Sequence, residues 1–356
     1  MRTTIMTAAT ALLLASSGAA LAQAPQDGTP GAIARPGEAL DMVFMPKFVA
    51  TDKIGMLFEQ AHDGAEQAAR ELRNPTTLQY TGPHLGSGGP SQIEVLTRAT
   101  AQGVDAIMFS NNSGADIVPA AKAAHAKGIK VVTWDFPIPS GEGEDVYVAH
   151  IDVAQGGPVL AGMARSILPN GGKLAVLSNS PDSPAPAAWV KGFQATLQQP
   201  LYAGLEAVDV VYGDDDAERS YQQTLALLDH HRDLKLIVGA TSNSVLAAAR
   251  AVRDRGLCDT VKVTGFGIPS DMRDYVLSGC APEIALWSFT DLGYLTYYTA
   301  YLLASGAIKP QDGQQFSAGR LGQHTITKDP TRANALRVLL GPWTVFDKTT
   351  IVAAAR

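Results

Sequence analysis

Small hydrogen-bonding side chains recur beside aromatics at the ends of short apolar runs. Lys47 follows Pro46 directly after one such run. Ser110-Asn111-Asn112 and Trp134-Asp135-Phe136 end two later ones. Farther along, Ser178-Asn179-Ser180, Ala240-Thr241-Ser242-Asn243, Gly265-Phe266-Gly267 and Trp287-Ser288 occupy equivalent places. Trp134, Trp189 and Trp287 all fall at or just after these ends. This mixture suits a polyhydroxylated ligand, whose C–H faces pack on aromatic rings and whose hydroxyls need paired donors and acceptors. Asp135 can accept two hydroxyl hydrogen bonds, which its charge strengthens. Lys47 can donate to a ring or hydroxyl oxygen and offset that charge. Tryptophan adds contact area at little entropic cost. The candidate ligand set is Lys47, Asn111, Trp134, Asp135, Phe136, Trp189, Ser242, Asn243, Trp287 and Ser288. Plainer roles exist for several of them. Trp134 and Trp287 could be core aromatics that end buried strands, Asp135 a helix or turn cap, and Lys47 a solvated surface lysine.

The sequence carries no catalytic constellation of a familiar kind. It has no GxSxG elbow, no HExxH, no P-loop and no GxGxxG after a strand. Gly86, Gly88 and Gly89 follow Thr81-Gly82-Pro83 in a loop and lack dinucleotide spacing. The acidic run Asp214-Asp215-Asp216 with Glu218 lacks the alternating ligands and central glycine of a calcium loop. It precedes a helix, where acidic residues cap and complement the dipole. His230-His231 lies near the end of that helix, an ordinary place for histidine. No metal and no cofactor is expected, and the chain reads as a binder rather than an enzyme.

The elements that position these groups alternate strictly. Strands are predicted over 42–45, 77–80, 104–109, 130–134 and 146–150, then over 173–177, 206–211, 236–238, 261–266 and 283–287. Several are continuous apolar runs, as in strands covered on both faces. Between them lie helical patterns, such as Leu57, Ala61, Ala65, Ala68 and Leu72 at spacings of three and four. Pro90 can occupy the first turn of a helix running to Gln102, and Gly128 stops another. Such alternation implies parallel sheets with right-handed crossovers. The series restarts near Asp152, which favours two sheets over one very wide one. The fold class is α/β, with two doubly wound parallel-sheet lobes. Ligands of such sheets bind outside the carboxyl ends of the strands, so two facing lobes make an interlobe cleft.

The N-terminus sets the compartment. Arg2, the apolar run from Ala8 to Leu14 and the small residues Ala20-Leu21-Ala22 read as a signal peptide over 1–22, cleaved after Ala22. The run is too short to span a bilayer, which takes about 20 apolar residues. Residues 23–40, rich in Ala, Pro, Gly and Gln, read as a flexible mature N-terminus. The net charge of −6 and the lack of a basic run argue against nucleic acid. Cys258 and Cys280 either pair as a disulfide, which export permits, or remain separate buried thiols.

Phe44-Met45-Pro46-Lys47, Tyr80-Thr81-Gly82-Pro83, Val104-Asp105-Ala106-Ile107 and Val132-Thr133-Trp134-Asp135 together resemble the periplasmic binding proteins for rhamnose and autoinducer-2. The likeness runs on through Trp189-Val190-Lys191, Val263-Thr264-Gly265-Phe266 and Leu286-Trp287. It implies a type I periplasmic binding fold, with three hinge crossings and no enzymatic activity. It also implies discontinuous lobes, one over 41–149 plus 289–326 and the other over 150–288 plus 327–356. A monomeric periplasmic protein would then pass a sugar to an ABC importer permease in the inner membrane. Lys47 and Asp135 match positions that bind ligand in the autoinducer-2 proteins. Ala185, Pro186 and Ala240-Thr241-Ser242 depart from that pattern, while Leu286-Trp287-Ser288 and Thr290-Asp291-Leu292-Gly293-Tyr294 look more like the rhamnose branch. Rhamnose or a related sugar is the expected ligand, with autoinducer-2 the alternative.

Overall fold

In the computed structural model, residues 36–49, 53–84 and 91–355 are described. The signal-peptide segment, most of the 23–40 stretch, the loop bearing Gly86, Gly88 and Gly89, and Pro90 lie outside them. The first half of the chain runs β1 (Met42–Met45), α1 (Lys53–Glu71), β2 (Gln79–Tyr80), α2 (Gln92–Gln102), β3 (Ala106–Phe109), α3 (Val118–Ala126), β4 (Lys130–Trp134) and β5 (Val146–Ala149). Next come α4 (Gly156–Ile167), β6 (Gly172–Ser178), α5 (Pro184–Leu197), β7 (Leu205–Tyr212), α6 (Ala217–His230), β8 (Leu234–Gly239), α7 (Ser242–Asp254), β9 (Lys262–Gly265), α8 (Pro269–Ser278) and β10 (Ile284–Leu286). The chain ends with α9 (Phe289–Ala304), β11 (Gln315–Ser317), β12 (Gln323–Thr325), β13 (Thr327–Lys328), β14 (Leu336–Leu339), β15 (Thr344–Phe346) and α10 (Ile351–Ala354).

Two sheets organise these elements. The first has seven strands in the order β13-β14-β5-β4-β3-β1-β2, and the second four in the order β7-β6-β8-β9. All pairings are parallel except β13 with β14. The alternation read from sequence is present, because β1, β3 and β5 are buried along their whole length. On β1, Met42 and Phe44 enter one core while Val43 and Met45 enter the core on the other face. That is the two-residue period of a strand covered on both sides.

The helix α9 is buried on nearly every side and lies against α1. Their close approach requires glycine twice. A Cβ on Gly64 would overlap the Thr290 carbonyl, and one on Gly293 would overlap that of Ala61. Glu71 of α1 accepts hydrogen bonds from the hydroxyls of Tyr294 and Tyr298 on α9.

One expectation needs correction. The family resemblance places residues 327–356 in the second lobe, but β14 pairs with β5 in the first sheet through Arg337–Tyr147, Val338–Val148 and Leu339–Ala149. The physical reason is that β5 would otherwise leave an edge of unpaired backbone groups. A buried ionic cluster reinforces the docking. Arg332 Nη1 lies 2.8 Å from Glu144 Oε1, and Arg332 Nε lies 2.8 Å from Asp329 Oδ2. Only β15 and α10 join the second lobe, with β15 antiparallel to β10 and α10 against α8. In the same lobe Cys258 and Cys280 are joined as a disulfide, tying the turn after α7 to the approach to β10.

Candidate functional site

Among the described residues the chain passes between the two sheets three times: after β5, between β10 and α9, and between β14 and β15. Each passage carries an aromatic or imidazole ring. His150 stands on the first, Trp287 on the second and Trp343 on the third. The His150 and Trp287 rings lie 4.2 Å apart, and Trp287 meets Trp343 edge-on at 5.7 Å. Trp343 in turn stacks on Phe266 at 3.9 Å, with Trp189 edge-on to Phe266 at 5.0 Å. The passages are thus linked by a continuous chain of ring contacts.

Asp135 sits beside this chain at the carboxyl end of β4. Its backbone is left-handed, with φ of 60°, a conformation that Asp and Asn tolerate better than other non-glycine residues. Tyr147 holds the turn by donating from its hydroxyl to the Asp135 carbonyl at 2.8 Å, and the Arg332 guanidinium covers the Tyr147 ring at 5.0 Å. The Asp135 side chain is only 5% exposed. One oxygen accepts from the Ser110 hydroxyl at 3.1 Å, and the other lies 3.7 Å from His150 Nε2. Burial pushes the Asp135 carboxyl up to about 6, against the opposing pull of the Lys47 charge and the Ser110 hydrogen bond. Burial likewise lowers Lys47, with Asp135 working the other way. The Lys47 ammonium lies 2.9 Å from the centre of the Phe136 ring. Phe136 is 50% exposed.

The structure therefore gathers Lys47, Asp135 and Phe136 into one group and brings Trp287 to its edge through His150. It gives other candidates different work. Trp134 is fully buried, stacked on Phe44 at 4.7 Å and edge-on to Phe58 at 5.8 Å, so it belongs to the core. Asn111 spends its amide on the loop: Nδ2 donates to the Gly114 and Pro137 carbonyls, and Oδ1 accepts from Ser113 N–H. Ser288 caps α9 by accepting from Asp291 N–H at 3.1 Å. Ser242 is the first residue of α7, behind the cap Thr241, and the Asn243 amide donates to the Asp215 carbonyl at 2.9 Å. Trp189 packs against Phe266 and Trp343 rather than beside Asp135. For Ser288, and for Thr241 beside Ser242, the cause is local. A polar residue that ends a strand here also begins a helix, and its first N–H groups need a partner in any case. Asp216 follows the same rule, capping α6 by accepting from Arg219 N–H at 2.7 Å.

Three residues outside the candidate set, Ser110, His150 and Trp343, also stand at or beside this group. Ser110 and His150 both lie at strand ends, a position that by itself singles out neither. Trp343 follows no strand end and gave no signal. Trp287 also lines a cavity of about 250 Å³ between Leu57, Gln60 and Asp63 of α1 and Pro269, Phe346, Ala353 and Ala354 of the second lobe. That volume lies near the low end of small-molecule sites, about 300 Å³.

Comparison with known proteins bears on this arrangement. The family described as periplasmic binding protein domain matches residues 48–308. A sugar ABC transporter structure from Actinomyces odontolyticus superposes with a TM-score of 0.78 at 29% identity, over 88% of this chain and 97% of that one. An ABC transporter solute-binding protein from Clostridium phytofermentas with bound L-rhamnose gives 0.63 at 26% identity, over 90% of this chain and 99% of that one. The D-ribose/D-allose-binding protein of Pseudomonas aeruginosa is 24% identical over 213 residues, 59% of this chain and 66% of that protein. The chain thus spans just under two thirds of that relative's length.

Proposed function

The chain belongs to the periplasmic binding protein domain family, and on that premise we propose that it is the exported sugar-binding component of an ABC importer. In this reading it captures a monosaccharide, rhamnose or a related sugar, between its lobes and hands it to a permease in the inner membrane. It acts by binding and release in the periplasm, as a monomer, with no covalent step. The observation that carries the reading is the buried Asp135 carboxylate, set at a strand end with Lys47 and His150 beside the passages between lobes. A buried carboxylate with an acceptor site to spare needs hydroxyl donors. The aromatics around it suit the apolar faces of a sugar ring. Relatives that bind ribose, allose or rhamnose fit the same ligand class.

Capture works through differential affinity. A ligand that touches both lobes favours the closed arrangement by as much as it binds that arrangement better. The test is calorimetry of the full chain with L-rhamnose, D-ribose and autoinducer-2 side by side. Micromolar or tighter binding of L-rhamnose is expected, with D-ribose weaker. Binding of none of the three sinks the proposal. Autoinducer-2 remains the second reading because Lys47 and Asp135 match that branch, and tighter binding of it than of either sugar would reverse the ranking.

A further inference from the structure

His150 is a polar group at the site that the reading above gives no task. Its ring is largely buried, its side chain 20% exposed. The Ile151 N–H donates to His150 Nδ1 at 3.1 Å, so a neutral ring must carry its proton on Nε2. That Nε2–H faces Asp135 Oδ1 across 3.7 Å. The gap is too long for a direct hydrogen bond, yet one oxygen atom can stand about 2.8 Å from both. Burial, helped by the Lys47 charge, pushes the imidazole down to about 4, which agrees with a neutral ring.

We propose that His150 determines ligand specificity by donating from Nε2–H to the same ligand hydroxyl that donates to Asp135. The inference rests on the sugar reading above and names the group on the sugar that is inspected. Only a group that gives one hydrogen bond and takes another satisfies the pair. A carboxylate is repelled by Asp135, an ammonium cannot accept from His150, and a deoxygenated or methylated position loses one bond or both. Because His150 stands on the first interlobe passage and its ring lies on Trp287 of the second, that hydroxyl is read at the hinge itself.

The test is calorimetry with L-rhamnose and D-ribose on the wild-type protein, His150→Phe and His150→Gln. Phenylalanine keeps a ring against Trp287 and removes the donor; glutamine restores an N–H donor at similar reach. His150→Phe should weaken the better-bound sugar by roughly ten- to a hundredfold, with His150→Gln recovering most of the loss. Wild-type affinity in His150→Phe overturns the inference while leaving the sugar reading intact. Failure of the wild-type protein to bind either sugar overturns both. Nitrogen NMR of the wild-type imidazole, assigned through the backbone, gives a second readout should a variant fail to fold. The Nε2 resonance should carry the proton and shift when sugar is added. A proton on Nδ1, or an Nε2 signal unmoved by saturating sugar, equally overturns the inference.

Discussion

Asp135, the proposed ligand acceptor, is held ionised against its own preference. With its folded-state value near 6 and an ordinary aspartate value of 3.8, the folded chain keeps the proton longer than the unfolded chain does. Its stabilising contribution is therefore present below about pH 4 and is lost as pH rises through about 6. At neutral pH the ionised group costs about 3 kcal/mol. Asp135→Asn should remove that cost while keeping a residue that tolerates φ of 60°. Urea unfolding at pH 8 should show the variant more stable by up to about 3 kcal/mol, with the difference vanishing at pH 4. Sugar affinity in the same variant should fall by at least tenfold, since a charge-assisted acceptor is lost. Wild-type affinity should decline as pH drops below about 6. A variant no more stable than wild type at pH 8 would show that Asp135 is not desolvated in the folded chain.

At the scale of elements, caps and close helix contacts decide which polar residues are free. Ser288 and Asn111 suit a ligand's hydroxyls by residue type alone. Their hydrogen bonds go instead to the first turn of α9 and to the loop after β3. Sequence spacing cannot separate the two uses, since both place a short polar side chain at a strand end. The α1–α9 contact was equally hidden, because its partners are more than 200 residues apart. Gly293→Ala puts a methyl group into the Ala61 carbonyl and must push the helices apart. It should lower the unfolding free energy by about 3 kcal/mol, at the upper end of overpacking costs. An unchanged urea midpoint would mean that the two helices do not meet at this point.

For the whole molecule, the linkage of the three passages matters more than any one contact. His150, Trp287 and Trp343 lie in series, joining the three passages through ring contacts. If sugar binds the closed arrangement better, X-ray scattering should show the radius of gyration fall on addition of L-rhamnose. Asp135→Asn should abolish the change at the same sugar concentration. A constant radius with sugar demonstrably bound would remove hinge closure from the proposal.

The α/β class and the restart of the strand series near Asp152 follow from sequence alone. Periodicity and strand-end composition are local, and they survive in one dimension. Tertiary structure alone decided that β14 returns to the first sheet, because only an open edge on β5 calls for it. It also decided that Trp134 is core, through the stacked Phe44 ring. Lys47 and Asp135 remain candidates because no nearby helix end claims their side chains. His150 became a candidate only when folding set its Nε2 across 3.7 Å from Asp135 and its ring on Trp287. That juxtaposition joins residues far apart in the chain, and no spacing rule encodes it.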